Sequence, residues 1–258
     1  MENKLSTFFN IIDIDVETAY IEPGGGISIL EKDSGGFRIE PREFLEYATQ
    51  DFELGDNRGF SNALSNVKRS IESQSEIIHF SLGIPYRKLN FPTKLENIQK
   101  MGLSPFLIFK HINELRVDLE HKYKIPDRNK VDDAIQVAQL FLDVTTFSLS
   151  IFLDDFKIYD DDEEKQNTHK KWDESFKTPW EVIYNGIFVR YKRSDIKRYE
   201  LEYIVNGEVN RTLEISADDG DDYLKLINLS VDIGRHIHNF DETAKYRVFQ
   251  RFYSNLCK

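Results

Sequence analysis

The sequence predicts an α+β protein, a central antiparallel helical bundle flanked by an N-terminal β-hairpin region and a C-terminal α+β region. Three observations predict it. Short alternating apolar runs bracketed by glycines fill the first 40 residues. Helical periodicity then runs from Pro41 to about residue 155. Past a block of acids, alternation returns with two Asn-Gly pairs, the strongest short hairpin signal.

Taken in order, residues 8–16 alternate apolar and acidic side chains and read as a strand. Residues 27–30 and 37–39 follow the glycine turns at Gly24-Gly25-Gly26 and Ser34-Gly35-Gly36, as a hairpin would. The triple glycine lacks the Lys-Ser/Thr and helix start of a phosphate loop and reads as a plain turn. Pro41 opens a first helix through Phe44, Leu45 and Tyr47 to Leu54-Gly55. Asp56-Asn57 caps a second, whose stripe Phe60, Leu64, Val67, Ile71, Ile77, Ile78 and Phe80 ends at Gly83 and Pro85. Thr93 and Glu96 have the spacing of a capping box for a short helix stopping at Gly102.

Ser104-Pro105 then starts a helix lined by Leu107, Ile108, Ile112, Leu115 and Leu119, which Pro126 breaks. Asp127 begins the next, over about 130–155, with Val131, Ile135, Ala138, Leu142, Thr145 and Leu149 inward. Residues 160–168 read as a solvated acidic connector, because a calcium loop needs spaced oxygens and a glycine. Hairpins are expected at Asn185-Gly186 and Asn206-Gly207. The acids at 218–222 cap a helix over 223–238. The closing aromatics from Tyr246 to Tyr253 fit a strand or a short helix. The first strands are expected to pair with the last ones, since chain termini often meet.

Composition narrows the function. At 258 residues, 40% hydrophobic and 31% charged, the chain can build a packed core. A net charge of -11 excludes a general charge-driven nucleic-acid binder, though not a local basic cleft. The single cysteine, Cys257, can form no internal disulfide and no cysteine-based zinc site, and fits a reducing cytoplasmic compartment. The first residues lack a signal-peptide pattern, and no apolar run is long enough for a membrane span, so no membrane partner is expected.

The chemistry concentrates at residues 115–126, where Arg116, Asp118, Glu120, His121 and Tyr123 precede Pro126. Arginine offers a planar fork for phosphate oxygens, and histidine trades protons near neutrality. Together they could cleave RNA without a metal, His121 moving protons and Arg116 stabilising charge at phosphorus. On a straight helix the two are turned about 140° apart, whereas Arg116 faces Glu120. The residues alone therefore also allow an ordinary Arg116–Glu120 ion pair and a histidine favouring the helix dipole.

This stretch, with its Arg-x4-His spacing and trailing Tyr123 and Pro126, resembles the HEPN superfamily (higher eukaryote and prokaryote nucleotide-binding domains). The run Arg58 to Arg69 is similar to the long helix of many bacterial members, and the resemblance covers roughly residues 41–155. It implies an HEPN-like bundle acting as a metal-independent RNA endonuclease, in antiphage defence or a toxin–antitoxin or stress response. It implies a homodimer whose paired motifs line a cleft, an RNA substrate, and an antitoxin or partner defence protein. No cofactor and no metal are expected. Arg116 and His121 carry over as catalytic residues. Asp118, Glu120, Tyr123, Arg58, Lys68 and Arg69 stand as substrate-binding or supporting residues. Val117 stands where many active members have a polar residue, often Asn. Non-catalytic members act as dimerising or ligand-binding scaffolds, which is the alternative reading.

Other candidates read as structural. His79, among isoleucines and Phe80, reads as a packed histidine. His236 and His238 would point about 160° apart on a helix and read as a cationic helix end rather than a metal pair. Lys192, Arg193, Lys197 and Arg198 form the one basic cluster of the C-terminal part. The expected division is 1–40 β segment, 41–155 helical bundle, 156–172 acidic linker and 173–258 α+β domain.

Overall fold

The computed structural model describes residues 3–26, 29, 39–104, 127–160, 169–173, 178–182, 185–237 and 242–256. The protein is α+β, with seven α-helices and a five-stranded antiparallel sheet among the described residues. The chain divides into two compact units. One joins Met1–Ile27 to Ile151–Lys258, and the other is Ser28–Ser150.

The first unit contains α1 (Lys4–Phe9), β1 (Ala19–Pro23), β2 (Asp155–Asp160), β3 (His169–Asp173), β4 (Thr178–Val182), β5 (Gly186–Lys192), β6 (Arg198–Val205), β7 (Glu208–Ser216), α6 (Asp221–Ile237) and α7 (Glu242–Leu256). Its main sheet has the order β1-β2-β5-β6-β7, and β3–β4 form a separate ribbon. An early strand does pair with a later one, but neither is a strand the sequence pointed to, since β1 and β2 meet with Ala19 opposite Asp160 and Pro23 opposite Phe156. Pro23 is tolerated because β1 is an edge strand. Alternation puts Ile21, Phe156, Ile158, Ile187, Val189, Tyr199, Leu201 and Ile215 into the core. Each such buried apolar side chain contributes roughly 1.5–3 kcal/mol. Helix α6 covers this face, and the buried Tyr199 hydroxyl donates toward the Leu226 carbonyl at 3.2 Å and meets Ser230 Oγ at 2.8 Å.

Several expectations change here. Residues 8–16 form no strand. Asn3 caps α1 by accepting from Ser6 N at 2.8 Å, and Phe9 packs edge-on against Phe252 and Tyr253. The end-capping asparagine and the aromatic contacts outweigh a weak alternating pattern. Asn206-Gly207 makes its hairpin, with φ of 54° and 77°, the positive pair of a type I′ turn. Asn185-Gly186 does not join paired strands. β5 pairs with β2 and β6, and β4 pairs with β3. Asn185 instead accepts from Asn206 N at 3.0 Å and braces the neighbouring turn. The segment expected as a linker from 156 begins inside β2, a central strand, because Phe156 and Ile158 are fully buried. The closing aromatics lie on a helix, α7.

The second unit contains α2 (Pro41–Glu53), α3 (Asn57–Ser81), α4 (Phe91–Lys100) and α5 (Arg128–Ser150). Pro41 sits at the first position of α2, as its missing N–H allows. Asp56 caps α3 through Gly59 N at 2.6 Å. The α2–α3 corner needs both its glycines. Gly55 has φ +71°, and a β-carbon on Gly59 would collide with the Asp51 carbonyl. α4 is capped by Asn90, which accepts from Thr93 N at 2.9 Å, so the capping residue lies three positions before the expected Thr93. Pro92 in the first turn fixes that earlier start. α5 ends at Ser150 rather than near 155, because Leu153 is taken into a β-bridge with Gly26. The expected stripes are buried at Phe60, Leu64, Val67, Ile71, Ile77 and Ile78 on α3 and at Val131, Ala138, Leu142, Thr145 and Leu149 on α5, while Phe80 and Ile135 are only half-buried. Residues 27, 28 and 30–38, expected as strand and turn, and the helix expected from Pro105 lie outside the described residues.

Candidate functional site

Arg58 begins α3 and is exposed, as is Arg69. Eleven residues is close to three full turns, so the two share one stripe about 16 Å apart along the axis. Arg69 Nη1 donates to Asn66 Oδ1 at 3.3 Å, and Asn66 Nδ2 donates to Asp51 of α2 at 2.9 Å. This chain of contacts holds Arg69 against the α2–α3 pair. Lys68 is half-buried and engaged. Arg116, Asp118, Glu120, His121 and Tyr123 lie outside the described residues, so their distances to this stripe are not part of the geometry.

Charge is divided unequally. The helical unit has 16 Lys and Arg against 18 Asp and Glu, a net of -2, and the sheet unit holds the remaining -9 of the total -11. A phosphate approaching the helical unit meets a nearly neutral body.

The helical unit has a polar core that sequence reading reached only at His79. His79 is fully buried, with Nδ1 at 2.7 Å from the Ser75 carbonyl and Nε2 at 3.3 Å from Asn97 Nδ2. Burial pushes its pKa down to about 4, with nearby Lys94 adding to the shift. A neutral, inaccessible imidazole cannot serve as a proton carrier for a bound substrate, and the packed reading of His79 holds. Beside it Lys94 pairs with Glu76, and Gln74 Nε2 donates to Thr145 Oγ1 at 3.0 Å, tying α3 to α5.

In the sheet unit the solvent-side face is a lattice of opposite charges. Register sets Glu22 beside Lys157, and Arg190 opposite Glu200. Lys157–Glu22 is 3.0 Å, Arg190–Glu202 3.3 Å, Lys192–Glu200 3.6 Å and Arg198–Glu200 2.8 Å. The basic cluster read at Lys192 and Arg198 is thus already neutralised by acids on the same face. An RNA phosphate would have to displace them. Arg193 lies near Asp154, whose pKa is raised by burial and by Asp155. His236 Nδ1 is 2.7 Å from the Asp232 carbonyl in the last turn of α6, in keeping with a helix-end role, while His238 lies outside the described residues. Among the described residues no group of three His, Cys, Asp or Glu is placed to hold a metal ion, and no helix is long and apolar enough to cross a membrane.

The contacts made by the triple glycine have no local sequence signal. Gly25 N donates to the Asp155 carboxylate, and Gly24 N to the Asp155 carbonyl at 3.1 Å. A side chain on Gly24 would strike Asp155. The glycines therefore run alongside the start of β2 as a continuation of β1, with Gly26 bridged to Leu153, and make neither the expected turn nor a phosphate loop. Compared with known proteins, the chain matches no family model, no curated protein and no solved structure.

Proposed function

We propose that this chain is a metal-independent RNA endonuclease of the HEPN type, acting as a homodimer in antiphage defence or a toxin–antitoxin or stress response. The observation that carries the reading is the Arg116-x4-His121 spacing, with Tyr123 and Pro126 behind it, following α2, α3 and α4 and preceding α5. Two further features support it. The helical unit is close to neutral while the acids concentrate elsewhere. The exposed Arg58 and Arg69 share one stripe of the long helix.

In this reading His121 takes the proton of a ribose 2′-hydroxyl, whose oxygen attacks phosphorus. The bond to the 5′-oxygen breaks and the proton held by the imidazole passes to that oxygen, leaving a cyclic phosphate and a 5′-hydroxyl. Arg116 stabilises the charge gathered on the phosphate oxygens. The alternative is a non-catalytic scaffold that dimerises or binds a ligand for a partner effector. The observation favouring it is Val117, an apolar residue beside the arginine.

The test is RNA cleavage by purified wild type, Arg116→Ala and His121→Ala in chelator, with the dimer state measured on the same samples. The nuclease reading expects cleavage by wild type alone, with cyclic-phosphate ends, and an unchanged fold in all three. Equal cleavage by wild type and His121→Ala would overturn it. No cleavage by any of them, with the dimer intact, would favour the scaffold.

A further inference from the structure

The contacts of His79 are ones that only its neutral form can make. The Ser75 carbonyl can only accept, so Nδ1 carries the hydrogen and donates across 2.7 Å. Nε2 is then a bare acceptor, and Asn97 Nδ2 donates to it from 3.3 Å. Ser75 and His79 are on α3, whereas Asn97 is on α4. One further polar link joins the same two helices, between Lys94 of α4 and Glu76 of α3. Lys94 also lies over the Tyr86 ring, 5.9 Å from its centroid. Among the described residues Glu76 and Lys94 are the charged groups acting on the imidazole.

We propose that His79 is an acid-released latch between α3 and α4. A proton on Nε2 turns the acceptor into a second donor aimed at the Asn97 donor. It also creates a cation with no exposure to water, beside the ammonium of Lys94. Glu76 faces the same junction but engages Lys94, so its charge is already spent. Relief comes when α4 moves off and the ring reaches solvent. The direction of the pKa shift agrees. The closed state resists protonation down to about 4, whereas an imidazole freed by opening protonates near 6.5. Opening therefore takes up a proton between these values, and the open population rises about tenfold per pH unit through that window.

The test is amide hydrogen exchange on the full chain between about pH 7 and pH 4, expressed as protection factors for α4 against those of α3. The latch predicts that α4 loses protection about tenfold per unit while α3 keeps its own. His79→Gln can bond to both partners without titrating, and its α4 protection stays flat. Equal loss in wild type and His79→Gln would make Glu76 the trigger and overturn the proposal. So would simultaneous loss in α3 and α4, which is global acid unfolding. Retained α4 protection with His79 protonated would mean that the Asn97 amide rotates to accept, which also overturns it. If His79→Gln fails to fold, the ring nitrogen shifts of wild-type His79 decide, because its protonation must coincide with the loss of α4 protection.

Discussion

Gly234 of α6 lies so close to Ile151 that a β-carbon there would collide with the Ile151 carbonyl oxygen. The contact explains why a glycine stands in the interior of a helix, where it costs about 1 kcal/mol relative to alanine. α6 passes this close to the Ile151 carbonyl only because the position has no β-carbon. Gly234→Ala is expected to destabilise the sheet unit by about 1–3 kcal/mol despite the better helix propensity. Chemical denaturation checks it, and a stability equal to or above wild type would show that the helix can slide away at no cost. Gly220→Ala gives the contrast. Its φ is +59° with ψ −116°, outside the left-handed helical well, and nothing lies near its β-carbon, so its cost is backbone strain alone, about 1–3 kcal/mol.

The Lys94–Glu76 pair is unequal, and its variants should be unequal too. Lys94 is almost wholly buried at 5% side-chain exposure, and Glu76 keeps 25%. Glu76→Gln leaves a buried ammonium facing a neutral amide and the Tyr86 ring. Lys94→Met leaves a carboxylate that can turn to water and fills the site with an apolar chain of similar length. Glu76→Gln is expected to cost about 2–3 kcal/mol and Lys94→Met about 1 kcal/mol or less. Equilibrium unfolding of the two variants gives the order directly. The reverse order would place the burial on the wrong partner.

The Tyr199 hydroxyl bonds two neighbours on α6, donating to the Leu226 carbonyl and accepting from Ser230 Oγ. Tyr199→Phe is expected to cost about 1 kcal/mol, because the ring still fills its place while Ser230 Oγ and the Leu226 carbonyl lose a partner. Ser230→Ala should cost a similar amount, and the double variant less than the sum of the two. Strict additivity in a double-mutant cycle would mean that the hydroxyls do not share a bond.

What could be read from the sequence depended on how local the cause was. Helices α2, α3 and α5 announce themselves through caps and stripes that act within a few residues, as Asp56 and Gly59 do. The Asn206-Gly207 turn is equally local, since positive φ at both positions needs only those two residues. Asn185-Gly186 has the same letters, yet β5 pairs elsewhere, because the partner of a strand is chosen by the whole sheet. β2 was hidden for the same reason. Phe156 and Ile158 are two apolar residues beside an acidic run, and only pairing with β1 and β5 makes them core. The polar core around His79 was half visible. An apolar neighbourhood marked the histidine as packed, but Asn97 and Lys94 lie on another helix, and nothing in their spacing points to it. At the candidate site the stripe of Arg58 and Arg69 follows from helical geometry alone. The acid that neutralises Lys192, Glu200, comes from an adjacent strand and could not be counted in advance, whereas Glu200 stands two residues from Arg198 on one face of β6, where alternation alone places it.

Val117 directly follows Arg116. Within the nuclease reading the scissile phosphate needs donors beyond Arg116, and a polar side chain following the arginine can supply one. Val117 offers none. A hydrogen bond to a charged phosphate oxygen that strengthens in the transition state is worth about 1.5–3 kcal/mol, or roughly tenfold to a hundredfold in rate. Val117→Asn should therefore raise RNA cleavage by about tenfold. Val117→Leu, which restores no donor, should leave it unchanged, and Val117→Asn combined with His121→Ala should be inactive. The measurement is single-turnover cleavage in chelator. If Val117→Asn cleaves no faster than a wild type that does cleave, the phosphate is held by other groups, and Arg58 and Arg69 become the first to test. If wild type is silent and Val117→Asn cleaves in a His121-dependent way, the natural chain is a nuclease frame turned to scaffolding by one side chain.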